Sequence, residues 1–238
     1  MSTAPLPTPT APNPALRTQL FIELFCFLLG SALYLGFWRH RPHYVDMTFG
    51  LLGMSLIFLR AWRTRLQIWG PPLPEPAQRL RASLFAMALC TLPVLLGFAI
   101  MGWLQLHAQE SGAETLPHRF FRTNFWLSLP FYFLYAGLQQ ALFQFYLLGR
   151  LKVLAPRASI WTLAIVNGAL YALMHLAAAP DLVLLLLTFG GGIVWTVAYN
   201  RWRCLLPVTL SHMLLGVTYF YWVRDIDKMK ELLAVFGK

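Results

Sequence analysis

Residues 125–148, FWLSLPFYFLYAGLQQALFQFYLL, decide the fold. The run holds no Asp, Glu, Lys or Arg, and an apolar stretch of about 20 residues crosses a ~30 Å hydrocarbon layer as one helix. Working outward, similar blocks recur at Leu20 to Trp38, Met47 to Trp62, Leu84 to Leu104, Ile160 to Ala178, Leu182 to Tyr199 and Leu205 to Val223. The chain of 238 residues is 58% hydrophobic and 12% charged, against about 25% charged in a soluble domain. So few charges cannot clothe a water-facing surface. The expected fold is therefore all-α, a polytopic membrane bundle of about seven transmembrane helices, the second span being the shortest.

The formal charge of +10 could suggest nucleic acid, but the 19 Lys and Arg sit in short clusters between apolar blocks and form no continuous basic face. They read as topology signals instead. With Arg60 counted at the end of the second span, eleven fall on the side of the N-terminal tail and the loops after spans two, four and six. Four fall in the segments opposite, ahead of the C-terminal tail. That bias predicts a cytoplasmic N-terminus, in a bacterial inner membrane. Cys26, Cys90 and Cys204 have no metal or CxxC spacing and read as small buried hydrophobes. The Pro- and Thr-rich residues 1–16 read as a disordered tail, residues 17–223 as one transmembrane domain. In the tail 224–238, Ile226, Met229, Leu232, Leu233 and Phe236 have the spacing of an amphipathic helix lying along the interface.

Polar side chains at membrane depth are costly unless they face a partner or a wet cavity, so they direct attention to function. The fourth span carries Gln139, Gln140 and Gln144, the last two one turn apart on one face. Span five carries Asn167, Tyr171 and His175 at successive turns, and span seven carries Ser211 and His212. Three consecutive glycines in span six, TFGGGIVWTVAYNR, permit close backbone approach or a bend. The plain alternative for each polar residue is interhelical hydrogen bonding, contributing about 0.6 kcal/mol per pair. Two histidines fall short of the three or four ligands a metal site needs, so neither metal nor cofactor is expected.

The order of these features resembles the CPBP family of intramembrane endopeptidases, also called the Abi family, which includes CAAX prenyl proteases and bacteriocin-processing or immunity proteins. The family pattern is EExxxR, then FxxxH on the next helix, then HxxxN or HxxxD near the end. Here LQQALFQF stands at the first motif, YALMH at the second and SHMLLG at the third, and the resemblance covers residues 125–223. His175 and His212 keep the family identity and Tyr171 replaces Phe; Gln139 and Gln140 stand for the paired glutamates, Gln144 for arginine and Gly216 for Asn or Asp.

The resemblance implies a catalytic set at Gln139, Gln140, Gln144, His175 and His212, with Tyr171, Asn167, Ser211 and Gly216 contacting substrate. In the family a glutamate and a histidine activate water while the other histidine and the Asn hold the oxyanion. A glutamine amide cannot accept that proton, and losing a general base costs roughly 10²- to 10⁴-fold. Neutralising the glutamates and the arginine together avoids leaving one buried charge unpaired, which costs about 3–5 kcal/mol. The expected function is a protease-like membrane protein with an inactive or altered site that binds a membrane-embedded or C-terminal peptide segment, or partners an active paralogue in protein processing. The alternative is an active CAAX-protease-like endopeptidase that uses His175 or His212 as base with the glutamines orienting water or substrate. Transport is the weaker third reading, because no inverted repeat is visible. The expected partners are membrane lipid and such a peptide segment, not nucleic acid.

Overall fold

The computed structural model describes residues 14–33, 43–108, 120, 122–178, 181–230 and 233. Among them the apolar blocks form helical rods in the expected order: α1 Pro14–Leu33, α2 His43–Trp69, α3 Pro76–Ala108, α4 over 123–154, α5 Ile160–Ala178, α6 Leu182–Trp202 and α7 over 205–223. Five of them extend past the predicted apolar windows at one end or both, because Arg, Gln and Leu continue a helix well once it has left the hydrocarbon. The largest gain is in α3, with 33 residues, and α2, the span predicted shortest, reaches 27. By length and composition Pro76–His107, Leu182–Trp202 and Leu205–Val223 suffice to cross a membrane, and Ile160–His175 is a shorter apolar helix.

The punctuation follows local chemistry. Helix α2 ends at Gly70, whose φ of 71° suits a residue without Cβ and whose N–H donates to the Leu66 carbonyl at 3.0 Å. Pro71 and Pro72 then bar continuation. Ser159 caps α5 by accepting from the Thr162 N–H at 3.1 Å, and Asp181 caps α6 by accepting from Val183 and Leu184 at 3.0 and 3.3 Å.

Large apolar side chains including Phe21, Phe25, Phe85, Leu89, Leu134, Trp161 and Leu186 cover the outside. A water-facing surface could not carry them, and lipid can. Cys26 and Cys90 lie exposed on that surface and Cys204 is half-buried, so the expectation that the cysteines are buried is corrected: a small apolar side chain meets lipid without penalty. The expected tail at 1–16 overlaps α1, which begins at Pro14, and its residues 1–13 lie outside the described residues. Of the expected C-terminal helix, 228–230 are helical, while 231, 232 and 234–238 lie outside the described residues.

Contacts between rod ends define two faces. At one face the Arg17 guanidinium donates to the Leu154 carbonyl and the rings of Trp69 and Tyr199 meet edge to face. Arg63, Arg65, Arg79, Arg81, Lys152, Arg157, Arg201 and Arg203 belong to this end. At the other, Asp181 accepts from Tyr219 at 2.7 Å and pairs with Arg224, while Asp227 accepts from Asn124 at 2.7 Å and from Tyr221 at 2.9 Å. Partial burial raises the Asp181 pKa, but the hydrogen bonds from Tyr219 and the α6 N–H groups and the Arg224 charge outweigh it, holding the carboxyl below its usual value.

Helices α5 and α6 pack most intimately. A Cβ added at Gly192 would stand 2.8 Å from the Gly168 Cα, so the glycines let the two backbones touch. The reading of span six as a close-approach helix holds at Gly192, whereas Gly190 has open space beside it.

Spans one and two carry a charged cluster that hydropathy hid. Glu23 of α1 accepts from the Arg60 Nε at 2.5 Å and from the Arg150 Nη2 at 3.3 Å. Arg150 is fully buried, with its guanidinium 3.7 Å over the Tyr146 ring.

Within α4 the α-helix Thr123–Gln140 passes into a π-helix, Ala141–Leu147, before Leu148–Leu154 resumes as α. An i→i+5 stretch disturbs the backbone ladder and is frequent at functional sites. Three side chains donate to its carbonyls: Asn167 to Phe143 at 3.2 Å, Trp69 to Phe145 at 3.1 Å and Arg150 to Tyr146 at 3.4 Å. Trp69→Phe keeps the ring, over which the Arg203 guanidinium lies at 4.0 Å, but removes the donor. It is expected to lower unfolding stability by about 1–3 kcal/mol, as for a buried acceptor left unpaired. A loss near zero in a detergent unfolding titration would remove Trp69 from this role.

Candidate functional site

The three glutamines flank the start of the π-helix, so the change of pitch sends them to different neighbours. Gln139, in the last α-helical turn, accepts from the Tyr171 hydroxyl at 3.0 Å. That hydroxyl also lies 3.0 Å from Nδ1 and 3.1 Å from Nε2 of His212. A phenol has one proton. With that proton donated to Gln139, the hydroxyl meets His212 as an acceptor, and the imidazole supplies the hydrogen. His175 stacks on Tyr171, centroids 4.8 Å apart, and its Nδ1 lies 2.9 Å from the Tyr171 carbonyl one turn back. Gln139, Tyr171, His175 and His212 thus form one connected group spanning α4, α5 and α7.

Gln144 belongs to a second group. Its Oε1 accepts from Thr196 at 3.0 Å and from Asn167 at 3.3 Å, and Asn167 Nδ2 is 2.8 Å from Thr196 Oγ1. Gln140, Gln144, Asn167 and Thr196 are all fully buried. Asn167 therefore ties α5 to α4 and α6 from inside.

A cavity of about 250 Å³ lies beside the first group. Its polar wall is His175, Ser211, His212, Tyr132 and Thr91, and its apolar walls come from α3 and α6. Cys90, Leu186 and Val194 at its edge are exposed to the outside, so it opens sideways between α3 and α6 at membrane depth. Ser211 is fixed at its wall by Thr91 at 2.7 Å and by the Trp195 Nε1 at 3.0 Å. Trp195 in turn packs on His212, centroids 4.9 Å apart.

Gly216, where the resembling family has Asn or Asp, is filled from across the bundle. A Cβ there would stand 2.9 Å from both Cζ and Oη of Tyr132. Tyr132 also meets His212 and Tyr135 edge to face. Among the expected residues, Gln139, Tyr171, His175, Ser211, His212 and Gly216 gather at or beside the cavity, Gln144 and Asn167 lie sealed in the second group, and Gln140 is fully buried outside both sets of hydrogen bonds. Tyr132, Thr91, Trp195 and Thr196 escaped the sequence reading. For Tyr132 a signal existed: it stands two turns before Gln139 on one helix face. Among the described residues no three His, Cys, Asp or Glu gather where they could hold a metal ion.

No curated protein and no solved structure matches the chain. A family model does, over residues 121–218, from the start of α4 to the last α-helical residue of α7. That model describes the type II CAAX prenyl endopeptidase Rce1-like family. The matched segment holds every expected site residue, and over residues 121–218 this integral membrane protein is similar to the Rce1-like CAAX prenyl endopeptidase family.

Proposed function

We propose that the chain binds, and does not cleave, a membrane-embedded or C-terminal peptide segment in the cavity between α3, α6 and α7. The observation that carries this is the bond from Tyr171 to Gln139. Where hydrolysis needs a carboxylate to take a proton from water, a carboxamide accepts a hydrogen bond and can take no proton. Tyr132 against Gly216 supports the same reading, since it fills the room an oxyanion-holding Asn would need. The cavity fits a ligand with an apolar body arriving from lipid and a polar end reaching Ser211 and His212. In this reading the protein serves protein processing or sorting, as partner to an active paralogue. The basic face lies in the cytoplasm of a bacterial inner membrane, in keeping with the clustering of arginines at the end where α1 begins.

The test uses purified full chain in nanodiscs with a lipidated C-terminal peptide. Wild type is expected to quench Trp195 fluorescence on binding and to release no product. Gly190 lines the cavity with nothing within 4 Å of an added Cβ, so Gly190→Phe should plug it without disturbing the packing. Binding is then expected to fall about tenfold or more, a loss of about 1.4 kcal/mol, at unchanged melting temperature. Cleavage by wild type that vanishes in His175→Ala would instead establish the alternative, an endopeptidase using its histidines. A fusion reporter placing the N-terminus outside would overturn the orientation.

A further inference from the structure

We infer that one water molecule is bound inside the bundle among Gln140, Gln144 and Asn167, in the place where the resemblance would put an ion pair. Four buried side-chain atoms there lack a hydrogen-bond partner: Nε2 and Oε1 of Gln140, Nε2 of Gln144 and Oδ1 of Asn167. All three residues are fully buried. Gln140 stands one turn before Gln144 on α4, and Gln144 is bonded to Asn167 of α5, so helical spacing sets Gln140 on the side of α4 where Gln144 and Asn167 meet. Leaving a polar group unpaired in the interior costs about 1–3 kcal/mol, and four together are more than a stable core tolerates.

The chemistry of the four atoms selects the occupant. Two are donors and two are acceptors, and none carries charge. A metal cation would leave both amide N–H groups unpaired, a carboxylate or halide would leave both oxygens unpaired, and an apolar group would satisfy neither. Water offers two hydrogens and two lone pairs, and buried waters typically make about three hydrogen bonds to groups of this kind. It accepts from the Gln140 and Gln144 amides and donates to the Gln140 and Asn167 oxygens, bridging the end of the α-helix Thr123–Gln140, the π-helix and α5. This water is structural. The His175, Tyr171 and His212 group reaches Gln139, not these atoms, and the inference holds whatever ligand the cavity takes.

Two measurements test it. A structure of the full chain at a resolution that shows ordered water should hold a peak within about 3.2 Å of at least three of the four atoms. A Gln140 amide bonded directly to a neighbouring side chain or carbonyl, with no such peak, overturns the proposal. Separately, Gln140→Met keeps the unbranched shape and removes two of the water's partners, stranding Gln144 and Asn167. The melting temperature should fall by about 4 °C or more. If the site is dry, the same substitution removes two orphaned groups and the melting temperature stays or rises, which overturns the proposal.

Discussion

Glu23→Gln is expected to destabilise the protein by about 3 kcal/mol, the low end of the range for an uncompensated buried charge, because the amide oxygen can still accept from one guanidinium. The Arg150 side chain is 1% exposed and that of Glu23 19%. Among the described residues the other contacts of Arg150 are uncharged: the Tyr146 carbonyl at 3.4 Å, the Thr64 hydroxyl at 3.5 Å and the Tyr146 ring. Glu23 is thus its counter-charge, reaching it from a helix outside the family match. The asymmetry of the cluster makes the prediction sharp. Arg60 also pairs with Glu23, so Arg150→Met leaves a balanced pair while Glu23→Gln leaves two cations facing an amide. Adding Arg150→Met to Glu23→Gln should therefore recover part of the loss. A loss below about 1 kcal/mol for Glu23→Gln, as for exposed ion pairs, would mean that water reaches the cluster.

Restoring the family residue at position 216 is expected to fail on its own. Gly216→Asn drives Cβ into the Tyr132 ring, and Tyr132 has little freedom to withdraw because Tyr135, His212 and Phe220 pack around it. Overpacking of this kind costs about 1–3 kcal/mol. Gly216→Asn with Tyr132→Ala should be more stable than the sum of the two single changes, with a coupling of about 1 kcal/mol or more. Losses that simply add would show that the ring and the glycine are not matched. The same pair limits any attempt to recover hydrolysis. Gln139→Glu, Gln140→Glu and Gln144→Arg return the charged groups but leave Tyr132 against Gly216, where the resemblance would place the oxyanion-holding Asn. Product should form only when positions 132 and 216 are changed as well.

Much of this architecture can be read from the sequence. Spans five and seven match their helices from end to end, because each is bounded by a cap or a turn with a local cause, such as Ser159 before Ile160. The grouping of Gln139 with Tyr171 and His212 follows from the order of polar residues along apolar helices, since each needs a partner at membrane depth. What escaped depends on rotation about helix axes. Glu23 and Arg60 look like isolated charges near span ends, and nothing local says that both turn toward Arg150, 127 residues along the chain from Glu23. Tyr132 hid for another reason: its signal is only its place two turns before Gln139, and among Phe, Trp and Tyr neighbours a single phenol does not stand out. The π-helix is invisible because its residues are ordinary helix formers, and the donors that meet its carbonyls, from Trp69, Asn167 and Arg150, lie elsewhere in the sequence.

That π-helix also bears on how such a chain tolerates changes of length. An i→i+5 stretch carries one residue more than the α-helix that would join the same two ends. Losing one residue from Ala141–Leu147 would let the rod run as unbroken α-helix, and an inserted residue has a place to be absorbed. A one-residue difference in an ordinary helix turns everything beyond it by about 100°. Here the surplus is confined between Gln139 and Arg150, so homologous chains can differ in length at this point and still present the same faces to α5 and α7.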